Sequence, residues 1–179
     1  AASCRFLAAT ARPDVPDLFR HLRDHYAGGT IPLAGRTEGE PEGWSVCMHP
    51  NPGVSATAAS LVAELPEDPG EPLRLWCSMG PPCTGVFLPV AFDAPLPAAL
   101  THGGPDPDPA SFWWTMKALQ DAVMADAQRL TPLVQEAWFA WEAEMLATPW
   151  PDLATQQAAW LAEVAGKAGE LTQKLSRLP

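Results

Sequence analysis

Positive charge is scarce in this chain of 179 residues: Lys and Arg together number 11, against 21 Asp and Glu, and the net charge is −10. Contacts to nucleic-acid phosphates need clustered cations, so this balance argues against a nucleic-acid-binding protein. It argues equally against a polybasic anchor for a membrane surface. We therefore expect an acidic protein with neither nucleic acid nor membrane among its partners.

Long apolar runs are also missing. No stretch reaches the roughly 18 residues that a membrane span requires, and residues 1–7 lack the basic and apolar regions of a secretory signal. Cysteine is sparse, at four residues, which is too few for a disulfide scaffold. Together these absences predict a protein of the reducing cytoplasm.

Hydrophobic residues, by contrast, make up 47% of the chain, enough for a packed core. In the first half their pattern alternates, which favours strands joined by short turns. Pro89 lies inside the last of these segments and removes a ladder donor, so we expect that strand at a sheet edge, bulged or cut short. The predicted strands cover residues 44–49, 56–65, 73–79 and 84–92.

Helical spacing takes over in residues 110–178, where three apolar stripes begin near Phe112, Val134 and Leu153. Pro132 predicts a break or kink near Thr131. A shorter amphipathic helix is predicted for residues 14–26. The pattern predicts an α+β fold, with an antiparallel sheet of about four strands followed by three packed helices. Residues 1–179 would form a single domain or the C-terminal part of a larger one.

Three patches of the chain occur in an order that is typical of one family. They are Ser45-Val46-Cys47-Met48-His49 with residues 55–66, then Trp76-Cys77-Ser78-Met79-Gly80-Pro81-Pro82-Cys83 continuing to Pro89, and finally Ser111-Phe112-Trp113-Trp114. This succession resembles the later half of the secernins and of the dipeptidase A enzymes, which are cysteine-type Ntn hydrolases. The resemblance covers about residues 22–144.

The resemblance implies a four-layer αββα sandwich and a catalytic cysteine at the start of the mature chain, whose own α-amine acts as the base. The family's nucleophile stands in a Cys-Asp-Thr context, and no such tripeptide occurs here. We therefore expect the C-terminal segment of a peptidase-like amidohydrolase acting on dipeptides or small N-acyl amides. It would lack the nucleophile segment and be inactive alone. Its partners would be an upstream segment or subunit carrying the nucleophile, or a second copy of itself.

Two other functions stay open. One is a non-catalytic secernin-like protein that binds or scaffolds partners. The other is a standalone α+β domain that binds small molecules or proteins. Because pocket shape in a fold comes largely from loops, the natural substrate does not follow from these patterns.

Individual residues supply few candidates for chemistry. Cys4 would become a nucleophile only if residues 1–3 were trimmed, and the sequence favours an ordinary buried thiol instead. The family patches supply four candidates for a pocket: Cys47, His49, Trp76 and Cys83.

Four Cys and His side chains are candidates for a metal site, to be judged by their ligand types and their spacing along the chain. Cys47, His49, Cys77 and Cys83 suit zinc, but Cys-x-His and Cys-x5-Cys depart from the usual spacings of zinc sites. The alternative is that the cysteines are core residues and that His49 caps a strand end. His21 and His25, four residues apart, fit a solvated polar helix face better than a metal pair. The sequence thus predicts no metal and no cofactor.

Overall fold

The computed structural model describes residues 2–25, 46–49, 56–68, 70–71, 73–91, 94–148 and 153–178. Within them, two helices precede three strands, and four helices follow, in agreement with the predicted α+β class. The elements are α1 (Ala2–Ala9), α2 (Val15–Leu22), β1 (Ala59–Glu64), β2 (Arg74–Met79), β3 (Leu88–Ala91), α3 (Ala98–Thr101), α4 (Phe112–Met124), α5 (Ala127–Ala147) and α6 (Leu153–Leu175).

The three strands form one antiparallel sheet in the order β1-β2-β3. Val62 pairs with Trp76, and Trp76 pairs in turn with Pro89. Among the described strands, the strand of Pro89 pairs with β2 alone. This agrees with the prediction from the missing backbone N–H of proline. Of the first predicted strand, the described residues 46–49 are irregular. The structure therefore shows three strands, and a fourth strand and the αββα sandwich stay predictions.

One face of the sheet carries the core. Trp76 is buried, and Phe19 of α2 meets its ring edge-on with centroids 5.4 Å apart. Phe19 also stacks on Phe87, at 4.0 Å between centroids. On the opposite face Leu61 of β1 is 58% exposed. Helix α2 is therefore fixed to the sheet through its buried aromatic side chain.

Helix α2 begins with a capping box, in which Asp14 accepts from the Asp17 amide and the Asp17 carboxylate accepts from the Asp14 amide. It ends at Leu22, so the prediction that the helix continues to residue 26 is wrong. The physical reason lies in Arg23, the C-cap, whose side chain turns into the core instead of continuing a solvated face.

The long helices follow the predicted stripes. Met116 of α4, Trp138 of α5 and Val164 of α6 are all buried. Of the break or kink predicted near Thr131, the break is wrong, since α5 runs through Pro132. The chain breaks earlier, where the Asp126 carboxylate caps α5 by accepting from the Arg129 amide at 3.4 Å. None of the helices in the described ranges is long and apolar enough to cross a membrane.

Candidate metal centre

Four side chains from three segments converge at one end of α2. They are His25, Cys47, His49 and Cys83, and their ligand atoms all lie within 4.8 Å of one another. His25 is 7% exposed and His49 9%, while both cysteines are fully buried. All four cysteines of the chain are free thiols. The cluster is therefore a compact group of potential ligands withdrawn from solvent.

The Nε2 atom of His49 lies at the centre of the contacts. It is 3.1 Å from Nε2 of His25, 3.1 Å from Sγ of Cys83 and 3.7 Å from Sγ of Cys47. One imidazole nitrogen offers a single proton or a single lone pair, so it cannot satisfy three neighbours by hydrogen bonding. Around a tetrahedral zinc ion, by comparison, bonds of about 2.0–2.1 Å to nitrogen and 2.3 Å to sulfur give ligand–ligand separations of about 3.3–3.8 Å.

Backbone contacts bring the first three ligands together. His25 lies just past α2, where the carbonyl of Asp24 accepts from the Cys47 amide at 3.1 Å. Met48, between Cys47 and His49, donates its amide to Thr57 Oγ1 at 3.0 Å and accepts from the Thr57 amide at 3.0 Å. The segment before β1 is thereby tied both to the end of α2 and to the start of the sheet.

The fourth ligand, Cys83, lies in the buried turn between β2 and β3, and Arg23 holds that turn. Nε of Arg23 donates to the Pro82 carbonyl at 2.8 Å, and one terminal nitrogen donates to the Gly85 carbonyl at 3.2 Å. The guanidinium also pairs with both carboxylate oxygens of Glu142, at 3.0 and 2.5 Å. The Arg23 side chain therefore fixes one carbonyl on each side of Cys83.

Helix α5 supports the same turn with three side chains at helical spacing. Gln135 donates to the Cys83 carbonyl at 2.9 Å, and Trp138 donates to the Thr84 carbonyl at 3.1 Å. Glu142, one turn further along, accepts from the Phe87 amide at 2.7 Å. These spacings of three and four residues put the three polar groups on one helix face. The turn is thus held at three successive points by a rigid element.

The pKa values of the two buried thiols are shifted in opposite directions. A hydrogen bond from Cys83, with further ones from His25 and His49, lowers the pKa of Cys47 to about 3 against the effect of burial. That same hydrogen bond, together with burial, raises the pKa of Cys83. Burial also raises the pKa of Glu142, outweighing the opposing effects of Arg23 and the Phe87 amide. The shared hydrogen bond thus favours loss of the proton from Cys47 over loss of the proton from Cys83.

Three of the four predicted pocket residues, Cys47, His49 and Cys83, do come together. Trp76 does not: it is a core residue that donates to Glu64 at 3.1 Å. The set considered for zinc needs one replacement, because Cys77 lies half-buried on β2 and is not one of the four.

His25 is the member of the cluster that the sequence pattern does not predict, because the surrounding charges favour a solvated helix face for it. Only the early end of α2 places it beside Cys47, and no local pattern marks that end. His21, by contrast, stays on α2, with its ring stacked on Phe6 at 4.3 Å between centroids. Cys4 is exposed on α1 and takes no part in the cluster.

Two sulfur and two imidazole ligands in a closed, buried set are the composition of many structural zinc sites. The expectation of no metal rested on spacing along the chain, and the arrangement in space is the reason to propose the opposite below. Comparisons of this chain with models of known families, with curated proteins and with solved structures found no match.

Proposed function

We propose that this chain is a zinc-binding domain, in which one Zn²⁺ held by His25, Cys47, His49 and Cys83 fastens three separate segments together. The observation that carries the proposal is the crowding around His49 Nε2, which three potential ligands approach at once. A shared cation can take one lone pair from each of the four groups, whereas the single ring position at His49 Nε2 can make only one of its three short contacts a hydrogen bond.

Zinc is favoured over other ions by the ligand types. Thiolate sulfur and imidazole nitrogen suit Zn²⁺, while Mg²⁺ and Ca²⁺ prefer oxygen. The buried position of the cluster and its four protein ligands leave no coordination position for substrate, so the metal is structural. The acidic chain, at net charge −10, also favours a bound cation in general electrostatic terms.

Side chains around the cluster hold the proposed ligands in place, as neighbouring groups do in established metal sites. Arg23 and the α5 residues Gln135 and Trp138 hold the backbone around Cys83 through its neighbouring carbonyls. The ligand of the β2–β3 turn is therefore positioned before an ion arrives, which lowers the ordering cost of binding.

The test is elemental analysis of the purified chain, with thermal unfolding before and after chelation. We expect about one zinc per chain and a Tm lower by more than about 10 °C after chelation. Cys83→Ser and His25→Ala should lose the metal. Their matched controls, Cys77→Ser and His21→Ala, should keep it, because neither residue belongs to the cluster.

Cobalt substitution tests the site in the unaltered chain, so the result does not depend on whether the variants fold. Co²⁺ bound by two thiolates in a tetrahedral site gives intense visible and sulfur-to-metal absorption bands. The proposal would be overturned if the chain bound no zinc, showed no cobalt absorption bands of this kind and had the same Tm before and after chelation.

The sequence resemblance supports a second proposal, that the chain is the C-terminal segment of a peptidase-like amidohydrolase. The antiparallel sheet followed by helices is compatible with it, and the exposed apolar face around Leu61 and Leu65 suits contact with a further layer. The chain alone should then hydrolyse no dipeptide, and the gene should encode a Cys-Asp-Thr segment upstream. Turnover that survives Cys4→Ser, or an upstream sequence without that tripeptide, would count against it.

A further inference from the structure

A cavity of about 170 Å³ adjoins the cluster and shares His49 with it. Its walls come from α4, from the residues just before β1 and from the turn after β2, and they are largely apolar. An apolar cavity of about 150 Å³ is enough for a ligand of benzene size. The lining residues used below are His49, Gly80, Trp113, Lys117, Gln120 and Asp121.

Gln120 places a hydrogen-bond acceptor in the wall of this cavity. The residue is 5% exposed, and its Nε2 donates to the Met79 carbonyl at 2.9 Å, which fixes the orientation of the amide. Its Oε1 accepts no hydrogen bond from any residue in the described ranges. This oxygen is not among the fully buried, unpartnered atoms of the described residues, so it stays accessible from the cavity and can accept from a donor that enters.

Lys117 brings the single cationic side chain among the described lining residues. Its Nζ contacts both oxygens of Asp121 at 2.6 Å, one helical turn away. The Asp121 side chain is 61% exposed and that of Lys117 33%. An exposed pair at this spacing contributes little stability. A ligand carboxylate can therefore replace Asp121 on the more sheltered ammonium while Asp121 turns to water.

We propose that this cavity binds a small amphiphilic carboxylate, with an apolar body of about six to ten non-hydrogen atoms and one O–H or N–H donor. The carboxylate pairs with Lys117, the donor reaches Oε1 of Gln120, and the apolar body packs beside Trp113. None of these three contacts requires a bound metal, so the inference goes beyond the zinc site and stands without it.

The experiment uses the purified chain as isolated, with its zinc content recorded, and three related probes titrated by ligand-observed and protein-observed NMR. Mandelate has the ring, the carboxylate and a hydroxyl donor, benzoate lacks the donor, and mandelamide lacks the charge. We expect mandelate to bind with a Kd in the range of about 0.1–5 mM, as befits a ligand of this size. Benzoate and mandelamide should each bind at least about fivefold more weakly, because each forfeits one polar contact.

Substitutions assign the contacts. Lys117→Met should weaken mandelate about tenfold and leave mandelamide unchanged, while Lys167→Met on α6 changes neither. Gln120→Leu should bring mandelate down to the affinity of benzoate. Zinc content is measured in the same samples and should stay at its starting value in Lys117→Met. A failure of carboxylate binding can thus be told apart from a failure of zinc binding.

Three results would overturn the proposal. One is the absence of saturable binding by any of the probes up to about 20 mM, well beyond the affinity expected for ligands of this size. Another is equal binding of all three probes. The third is a Kd for mandelate that Lys117→Met leaves unchanged. This third test does not depend on whether the Gln120→Leu variant folds.

Discussion

Arg23 and Glu142 lie 119 residues apart in the chain and form a two-pronged ion pair in the interior. Their side chains are 9% and 5% exposed. The aromatic ring of Phe87 flanks the guanidinium, at 5.0 Å from its carbon to the ring centroid. The pair joins the end of α2, the turn that carries Cys83 and the middle of α5, so several tertiary contacts depend on it.

Replacing Glu142 by Gln should therefore be severe. Arg23 would keep its charge in the interior without a counter-charge, which costs about 3 kcal/mol in comparable buried pairs. Urea unfolding measures the free-energy difference, and Glu136→Gln on the exposed side of α5 is the matched control. A loss below about 1 kcal/mol would show that water or another group already compensates Arg23.

The same substitution should also weaken zinc, since outer groups that hold a ligand typically contribute about 10–100-fold to metal affinity. Competition with a chromophoric chelator measures this at a temperature where both proteins are folded. Unchanged affinity in the folded Glu142→Gln chain would mean that Arg23 supports the turn without positioning Cys83.

Gly80 is a second sensitive position. Its φ is 73°, in the left-handed region, and a Cβ there would collide with the amide of Gln120. We expect Gly80→Ala to destabilise the chain by at least about 2 kcal/mol, from backbone strain and the displaced amide. Gly166→Ala is the control, because a Cβ at that helical position meets nothing within 4 Å. It should stabilise by up to about 1 kcal/mol. Equal midpoints in urea for the two variants would contradict this reading.

Zinc binding should release about one proton at pH 8. With its pKa lowered to about 3, Cys47 is already ionised, whereas Cys83, whose pKa is raised, must give up its proton to the metal. Calorimetry in buffers of different ionisation enthalpy counts the protons. A release near two would show that neither thiol is ionised beforehand, and a release near zero that both are.

Local patterns were enough for most of the architecture. The small apolar run around Val62 and the alternation around Trp76 predict strands that the structure shows. The stripes through Met116, Trp138 and Val164 predict the buried helix faces. The missing donor of Pro89 predicts a strand that lies at an edge, is bulged or is cut short, and the described strand pairs with β2 alone. In each of these cases the deciding residues are neighbours in the sequence.

The candidate centre was only partly predictable, because its geometry depends on distant contacts. Helix α2 ends where Arg23 turns toward Glu142, and that end is what carries His25 to Cys47. Spacing rules for zinc describe ligands in local pairs, whereas here His25 and Cys83 lie 24 and 34 positions from His49. Cys77, with the right chemistry and a nearby place in the sequence, points away from the site because of the sheet register.

The order of the ligands along the chain has a consequence for biosynthesis. His25, Cys47 and His49 leave the ribosome before Cys83, and the α5 groups that hold the Cys83 turn follow more than 50 residues later. An ion captured early would be held by an incomplete set and would exchange readily. If the proposed site is loaded, durable loading would wait until α5 has been synthesised and has docked, and a chain truncated before α5 should then be released without metal.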